Sequence, residues 1–181
     1  MIIVVTGLHR SGSSMMMSML QAGGIECIYD DHIPADQHNP NGYFEYKAAR
    51  QGDWSFLATA DGKAVKLNEM APRMPDIPDI RVIVMRRAIE NIVPSWNAIR
   101  QTKGGSELEA SAYGSFIKGN LDSIRTWAAD KRHIEVWYDD VISNTAVECQ
   151  RIERLVGRPL DLTAMQKIPT PDLRHHTSES T

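Results

Sequence analysis

Four consecutive β-branched residues, Ile2-Ile3-Val4-Val5, lead through Thr6 into Gly7-Leu8-His9-Arg10-Ser11-Gly12-Ser13-Ser14 and then into a run of methionines. A short, wholly apolar run of this kind reads as a strand buried on both faces, the usual state of a strand in a parallel sheet. The Gly- and Ser-rich turn behind it and a helix predicted over Met15–Gln21 complete a strand–loop–helix unit, stopped at Gly23-Gly24. Met15, Met16, Met17, Met19 and Leu20 leave that helix little polar face. It is therefore expected to be buried, its thioethers filling core gaps rather than binding a ligand.

The same alternation continues along the chain. Strands are predicted at Ile25–Tyr29, Ala64–Leu67, Arg81–Met85 and Ile134–Trp137, and helices at Tyr46–Ala60, from Tyr113 to about Lys131, and at Asn144–Val156 before Gly157. Ile89, Ile92, Val93 and Trp96 recur at helical spacing around Pro94. A helix beginning at Ala88 would be broken by that proline, whereas one beginning near Asn91 would hold it in the first turn. Residues 30–42, with Pro34 and the Asn39-Pro40-Asn41-Gly42 turn, and Met70–Asp79 are expected to be loops. Asp139-Asp140 reads as the start of a turn. Strands alternating with helices predict one α/β domain over residues 1–181: a three-layer, P-loop-like fold whose central parallel sheet is covered by helices on both faces. Residues 163–181 carry little periodicity and are expected to form a lid or a flexible tail.

Composition narrows the function classes. The chain of 181 residues is 42% hydrophobic and 24% charged, which excludes a disordered tail, a fibre and a disulfide-stapled scaffold. Twenty Lys and Arg against 23 Asp and Glu give a net charge of −3, without the basic surplus that nucleic acid or an anionic membrane would favour; local basic sites stay open. Cys27 and Cys149 form no CxxC and no Cys/His cluster, so no metal ligand set is expected. A disulfide between them is open, and a reducing cytoplasm is the simpler reading. No segment approaches the roughly 20 apolar residues of a membrane span, and the N-terminal residues lack a basic signal-peptide region. The expectation is a soluble, cytoplasmic protein.

A Gly-rich loop between a buried strand and a helix N-terminus is a place for an anion, because successive N–H groups converge there. The spacing of Gly7 to Ser14 matches GxxxxGK[ST] except that Ser13 stands where the phosphate lysine would be. Arg10, inside the loop, offers positive charge instead.

His9-Arg10-Ser11-Gly12-Ser13-Ser14 resembles the 5′-phosphosulfate loop of the sulfotransferases, which read Lys or Arg and then Ser-Gly-Thr/Ser-Thr/Ser. Two further elements are similar. Arg87 follows the strand Arg81–Met85 and Ser95 lies eight positions later, as do the Arg and Ser that bind the donor's 3′-phosphate in that family. Asn39-Pro40-Asn41-Gly42-Tyr43-Phe44-Glu45 resembles an NPxGYFE segment of small bacterial sulfotransferase-like proteins. The resemblance implies 3′-phosphoadenosine 5′-phosphosulfate (PAPS) as donor, adenosine 3′,5′-bisphosphate (PAP) as product, no metal, and transfer of the sulfuryl group by in-line displacement to a hydroxyl or amine of a small-molecule or glycan acceptor.

The same resemblance implies roles. Arg10, Ser11, Gly12, Ser13 and Ser14 would bind the 5′-phosphosulfate, with Arg10 also meeting charge on the bridging oxygen. Arg87 and Ser95 would hold the 3′-phosphate, with Arg86 as the rival of Arg87. Cytosolic members take the acceptor proton with the His of a Lys-Thr-His segment. The matching stretch here is Lys66-Leu67-Asn68, so Lys66 remains to face the sulfuryl group but the His is missing. Glu45 is the first choice of base, Glu69 the second, and His9, His32 and His38 stay open. Asp172-Leu173-Arg174-His175-His176 would fold over the nucleotide if the tail orders. Two alternatives stand beside the enzyme reading. One is a P-loop nucleotide kinase, disfavoured by the missing loop lysine. The other is a non-catalytic nucleotide-binding module, kept open by Asn68.

Overall fold

Alternate residues of the first strand are buried on opposite sides, and this decides the architecture. The computed structural model describes residues 1–169, apart from 31, 103, 108 and 109 and the side chains of 110–113; the Asp172–His176 segment and most of the expected lid lie outside the described residues. Strand β1 (Ile2–Gly7) sits in the middle of a five-stranded sheet with β2 (Cys27–Ile28), β3 (Ala64–Lys66), β4 (Ile80–Arg86) and β5 (Arg132–Trp137). The order is β2-β3-β1-β4-β5 and every neighbouring pair is parallel, with Val5 opposite both Lys66 and Ile83.

Ile3 and Val5 pack on one face with Met16, Met17, Met19 and Leu20 of α1 (Ser13–Ala22) and with the apolar stripe of α6 (Thr145–Val156). Ile2 and Val4 pack on the other with Ile124 and Ala128 of α4 (Ala110–Ala128). Each such side chain withdrawn from water contributes roughly 1.5–3 kcal/mol. Helices therefore cover both faces, as the apolar strands require. The remaining helices are α2 (Lys47–Arg50), α3 (Ile89–Thr102), α5 (Tyr138–Ser143) and α7 (Leu162–Met165).

Four sequence expectations are corrected here. The helix expected over Tyr46–Ala60 stops after one turn. Gly52 takes φ +76, and the Asp53 carboxylate accepts the Ser55 N–H at 2.9 Å to open a separate 3-10 turn, Ser55–Thr59. Part of the loop expected at Met70–Asp79 is a second 3-10 turn, Asn68–Arg73. Pro94 neither breaks α3 nor falls in its first turn: the helix runs through it from Ile89, held by buried Ile92, Val93 and Ile99. Asp139 and Asp140 lie in the first turn of α5, where carboxylates meet the positive end of the helix dipole.

Strand β1 gives way to the following loop at Gly7, where φ is +145. A Cβ there would lie 2.5 Å from the Met85 carbonyl oxygen and 2.8 Å from Ser11 Oγ. The loop can lie against the end of β4 because that atom is missing. Gly7→Ala should lower the unfolding free energy by about 2–3 kcal/mol, measured by urea denaturation. An unchanged midpoint would contradict this account of the loop.

Candidate functional site

The C-terminal ends of β3, β1 and β4 form the crevice in which ligands of open parallel α/β sheets bind. The loop after β1 is anchored on both sides. Leu8 is buried against Ile92, Val93 and Ile117. The Ser11 N–H and hydroxyl both donate to the Leu8 carbonyl, at 3.1 and 2.7 Å. Arg10 at φ +67 and Gly12 at φ +95 then turn the backbone back toward the sheet. A Cβ on Gly12 would lie 2.7 Å from the Tyr138 ring, so this turn needs glycine for space as well as for its dihedral. Helix α1 starts at Ser13 with no side-chain cap and no acidic residue in its first turn. Its first N–H groups are thus left as donors for an anion.

A cleft of about 780 Å³, partly open to solvent, lies over this loop. Arg10, Gly12, Ser13, Ser14, Lys66 and Arg87 line it, with the 38–43 loop as its outer wall. Arg87 donates to the Arg10 carbonyl at 3.0 Å and lies 4.5 Å over the Tyr138 ring. Burial lowers the Arg87 guanidinium from its ordinary value, with Tyr138 and Asp139 opposing. The Arg10 guanidinium is lowered likewise by burial; Tyr43 opposes this and Arg87 adds to it. Its Nε donates to Ser95 Oγ at 2.8 Å and an Nη to the His38 carbonyl at 3.3 Å. Both stay charged at neutral pH.

Lys66 closes the floor at the end of β3, beside Val5. Its side chain is buried, with Nζ 2.8 Å from Glu45 Oε1 and 3.2 Å from Ser14 Oγ, and it donates to the Tyr43 carbonyl. Burial pushes this ammonium below its ordinary value, and the Glu45 carboxylate opposes the shift. Glu45, 7% exposed, also meets Asn68 Nδ2 at 3.4 Å and Arg50 at 3.7 Å. The carboxylate is thus surrounded by donors.

The structure brings Arg10, Gly12, Ser13, Ser14, Glu45, Lys66 and Arg87 to one cleft. It does not bring Ser11 there, since that hydroxyl is fully buried in the turn. Ser95, 1% exposed, lines a neighbouring cavity with Arg10 and His38. Arg86 points elsewhere, into an ion pair with Glu135 at 2.5 Å and over the Trp137 ring. His32 pairs with Asp30, and His38 faces Thr102 Oγ1 at 3.2 Å. Two groupings were not visible in the sequence: the Lys66–Glu45 pair, and Glu69 against His9 across the crevice. Each joins residues that only the fold makes neighbours.

No protein-family model and no curated protein matches the chain. Solved structures do. Retinol dehydratase in complex with androsterone and the inactive cofactor PAP is similar over 92% of this chain, at 14% identity and a TM-score of 0.55. Retinol dehydratase in complex with retinol and PAP is similar over 91%, at 12% identity and 0.51. The sulfotransferase domain from the curacin biosynthetic pathway is similar over 97% of this chain and 78% of that domain, at 10% identity and 0.52. The chain spans 62% of the length of either retinol dehydratase chain. At such identity the likeness is one of fold. With its five parallel strands and the loop at the end of β1, the chain has a sulfotransferase-like fold.

Proposed function

We propose that the chain transfers a sulfuryl group from PAPS to a hydroxyl or amine acceptor. The observation that carries this reading is the convergence of three partly or fully buried cations, Arg10, Lys66 and Arg87, on a helix N-terminus, with Glu45 the one carboxylate lining that cleft among the described residues. Cations taken out of water are costly unless compensated. A ligand with several negative groups offsets that cost, and a phosphosulfate with a second phosphate is such a ligand. The PAP bound in the retinol dehydratase structures supports the same reading.

The residues present fit that ligand. The N–H groups of Gly12, Ser13 and Ser14 and the Arg10 fork would hold the 5′ end; Arg87, at the end of β4, would hold the 3′-phosphate. Ser95 would complete that subsite once Arg10 leaves its hydroxyl for the ligand. Ser11 contributes by keeping the turn closed. The bound donor supplies the sulfuryl group and a leaving phosphate. Arg10 and Lys66 would meet the negative charge that grows on the leaving oxygen, where preorganised donors act mainly on the transition state. Glu45 opposes the loss of the Lys66 proton to burial and holds the ammonium in place. The cleft leaves the acceptor's identity open beyond a small molecule or a glycan end able to reach Lys66.

Two measurements test these roles. In Arg87→Ala, PAP binding should weaken at least tenfold, about 1.4 kcal/mol, while adenosine 5′-phosphate binding changes less than about threefold. Equal losses for both nucleotides would remove Arg87 from the 3′-phosphate. Glu45→Gln removes the group that raises the Lys66 ammonium against burial. Lys66 then loses its proton at lower pH, so the alkaline limb of donor turnover should move to lower pH. An alkaline limb at the wild-type position would show that turnover does not depend on this pair.

A further inference from the structure

We propose that His9 is the base that takes the acceptor's proton, with Glu69 as its positioning residue; the proposal rests on the sulfuryl-transfer reading. Glu69 grips His9 twice. Its Oε1 accepts the His9 backbone N–H at 3.1 Å, and its Oε2 lies 3.1 Å from His9 Nε2. The edge of the ring meets Trp96, with centroids 5.5 Å apart. A carboxylate can only accept, so Nε2 carries a hydrogen, and in the neutral ring Nδ1 then holds the lone pair. Nδ1 faces Asn68 Nδ2 at 3.5 Å, a donor, which agrees with that tautomer.

The position suits the task. His9 lines both the cleft over the loop and a second cleft, partly open to solvent, that Arg50, Glu69 and Met70 also line. An acceptor in the second cleft would present its hydroxyl at the wall the two share. Glu45 lines that wall as well, but its carboxylate is committed to the Lys66 ammonium at 2.8 Å, so a proton gained there would break a buried pair. On His9 the positive charge gained is met by Glu69, whose carboxylate is already in contact. The side chain is 38% exposed, which gives the proton a route to solvent.

The step balances. As the acceptor oxygen bonds to sulfur, the bond from sulfur to the bridging oxygen breaks and its electron pair stays on the departing phosphate. The acceptor hydroxyl takes the place of the Asn68 amide at His9 Nδ1, and its proton passes to that nitrogen and then to water.

Glu69→Gln is the discriminating variant. Its carbonyl can still accept the His9 N–H, but its amide would donate to Nε2, driving the hydrogen to Nδ1 and blocking the base. The imidazole ¹⁵N resonances of the unliganded protein read this without any donor. The wild type should show His9 as the Nε2–H tautomer, and Glu69→Gln should lose it. In both His9→Gln and Glu69→Gln, PAP affinity should stay within about twofold of wild type. PAP release from PAPS, with water, phenol and simple alcohols as acceptors, should fall at least about 100-fold. His9→Gln turning over within about threefold of wild type, or a wild-type His9 protonated on Nδ1 alone, would overturn the assignment. A wild type that neither binds PAP nor turns over PAPS would overturn both this assignment and the reading it rests on.

Discussion

The hydrogen bond from Arg87 to the Arg10 carbonyl fixes the loop on which the rest of the site depends. Arg10 lies at φ +67, a conformation that costs a non-glycine residue on the order of 1 kcal/mol. The strain is offset where the end of β4 donates to that carbonyl and the end of β1 has no side chain to obstruct it. With the turn held in this form, α1 starts with its N–H groups toward the cleft, and the Arg10 side chain leaves the loop on the side of Ser95 and His38. Gly7, Gly12 and Arg87 are therefore one device, built where two adjacent strands end.

The charges follow from that placement. Two guanidiniums and a buried ammonium share the crevice, and Glu45 balances the ammonium directly. The result is a cleft where these three cations face one lining carboxylate among the described residues, with Arg10 resting on a hydroxyl and a carbonyl. In this resting contact Ser95 Oγ accepts the Arg10 Nε–H at 2.8 Å. The contact leaves Arg10 free to turn toward a ligand without breaking an ion pair among the described residues.

Much of the scaffold was legible in the sequence because burial writes itself into composition. Ile2 to Val5 and the core of β4 are apolar on both faces, and the Met-rich α1 has little polar side to expose. The loop was legible because Gly and Ser at those spacings have few other uses next to a buried strand. What stayed hidden depended on distant chain segments or on single dihedrals. Gly52 ended a helix that periodicity extended to Ala60. Pro94 was tolerated because tertiary packing of Ile92 and Ile99 outweighs one missing backbone donor. Asn68, at φ +46, replaces the expected His at the end of β3 and turns its amide toward Glu45 and His9. The imidazole beside Asn68 thus comes from the loop after β1, and no local pattern around Asn68 announces it.

We propose that this cleft is built for a nucleotide with phosphates at both 3′ and 5′ positions. Calorimetric titration of the wild-type protein with PAP, alongside ATP with Mg²⁺, separates such a nucleotide from a triphosphate. PAP should bind saturably, with an affinity that exceeds that of ATP–Mg²⁺ by at least about tenfold. Equal binding of the two, or a preference for ATP–Mg²⁺, would contradict it.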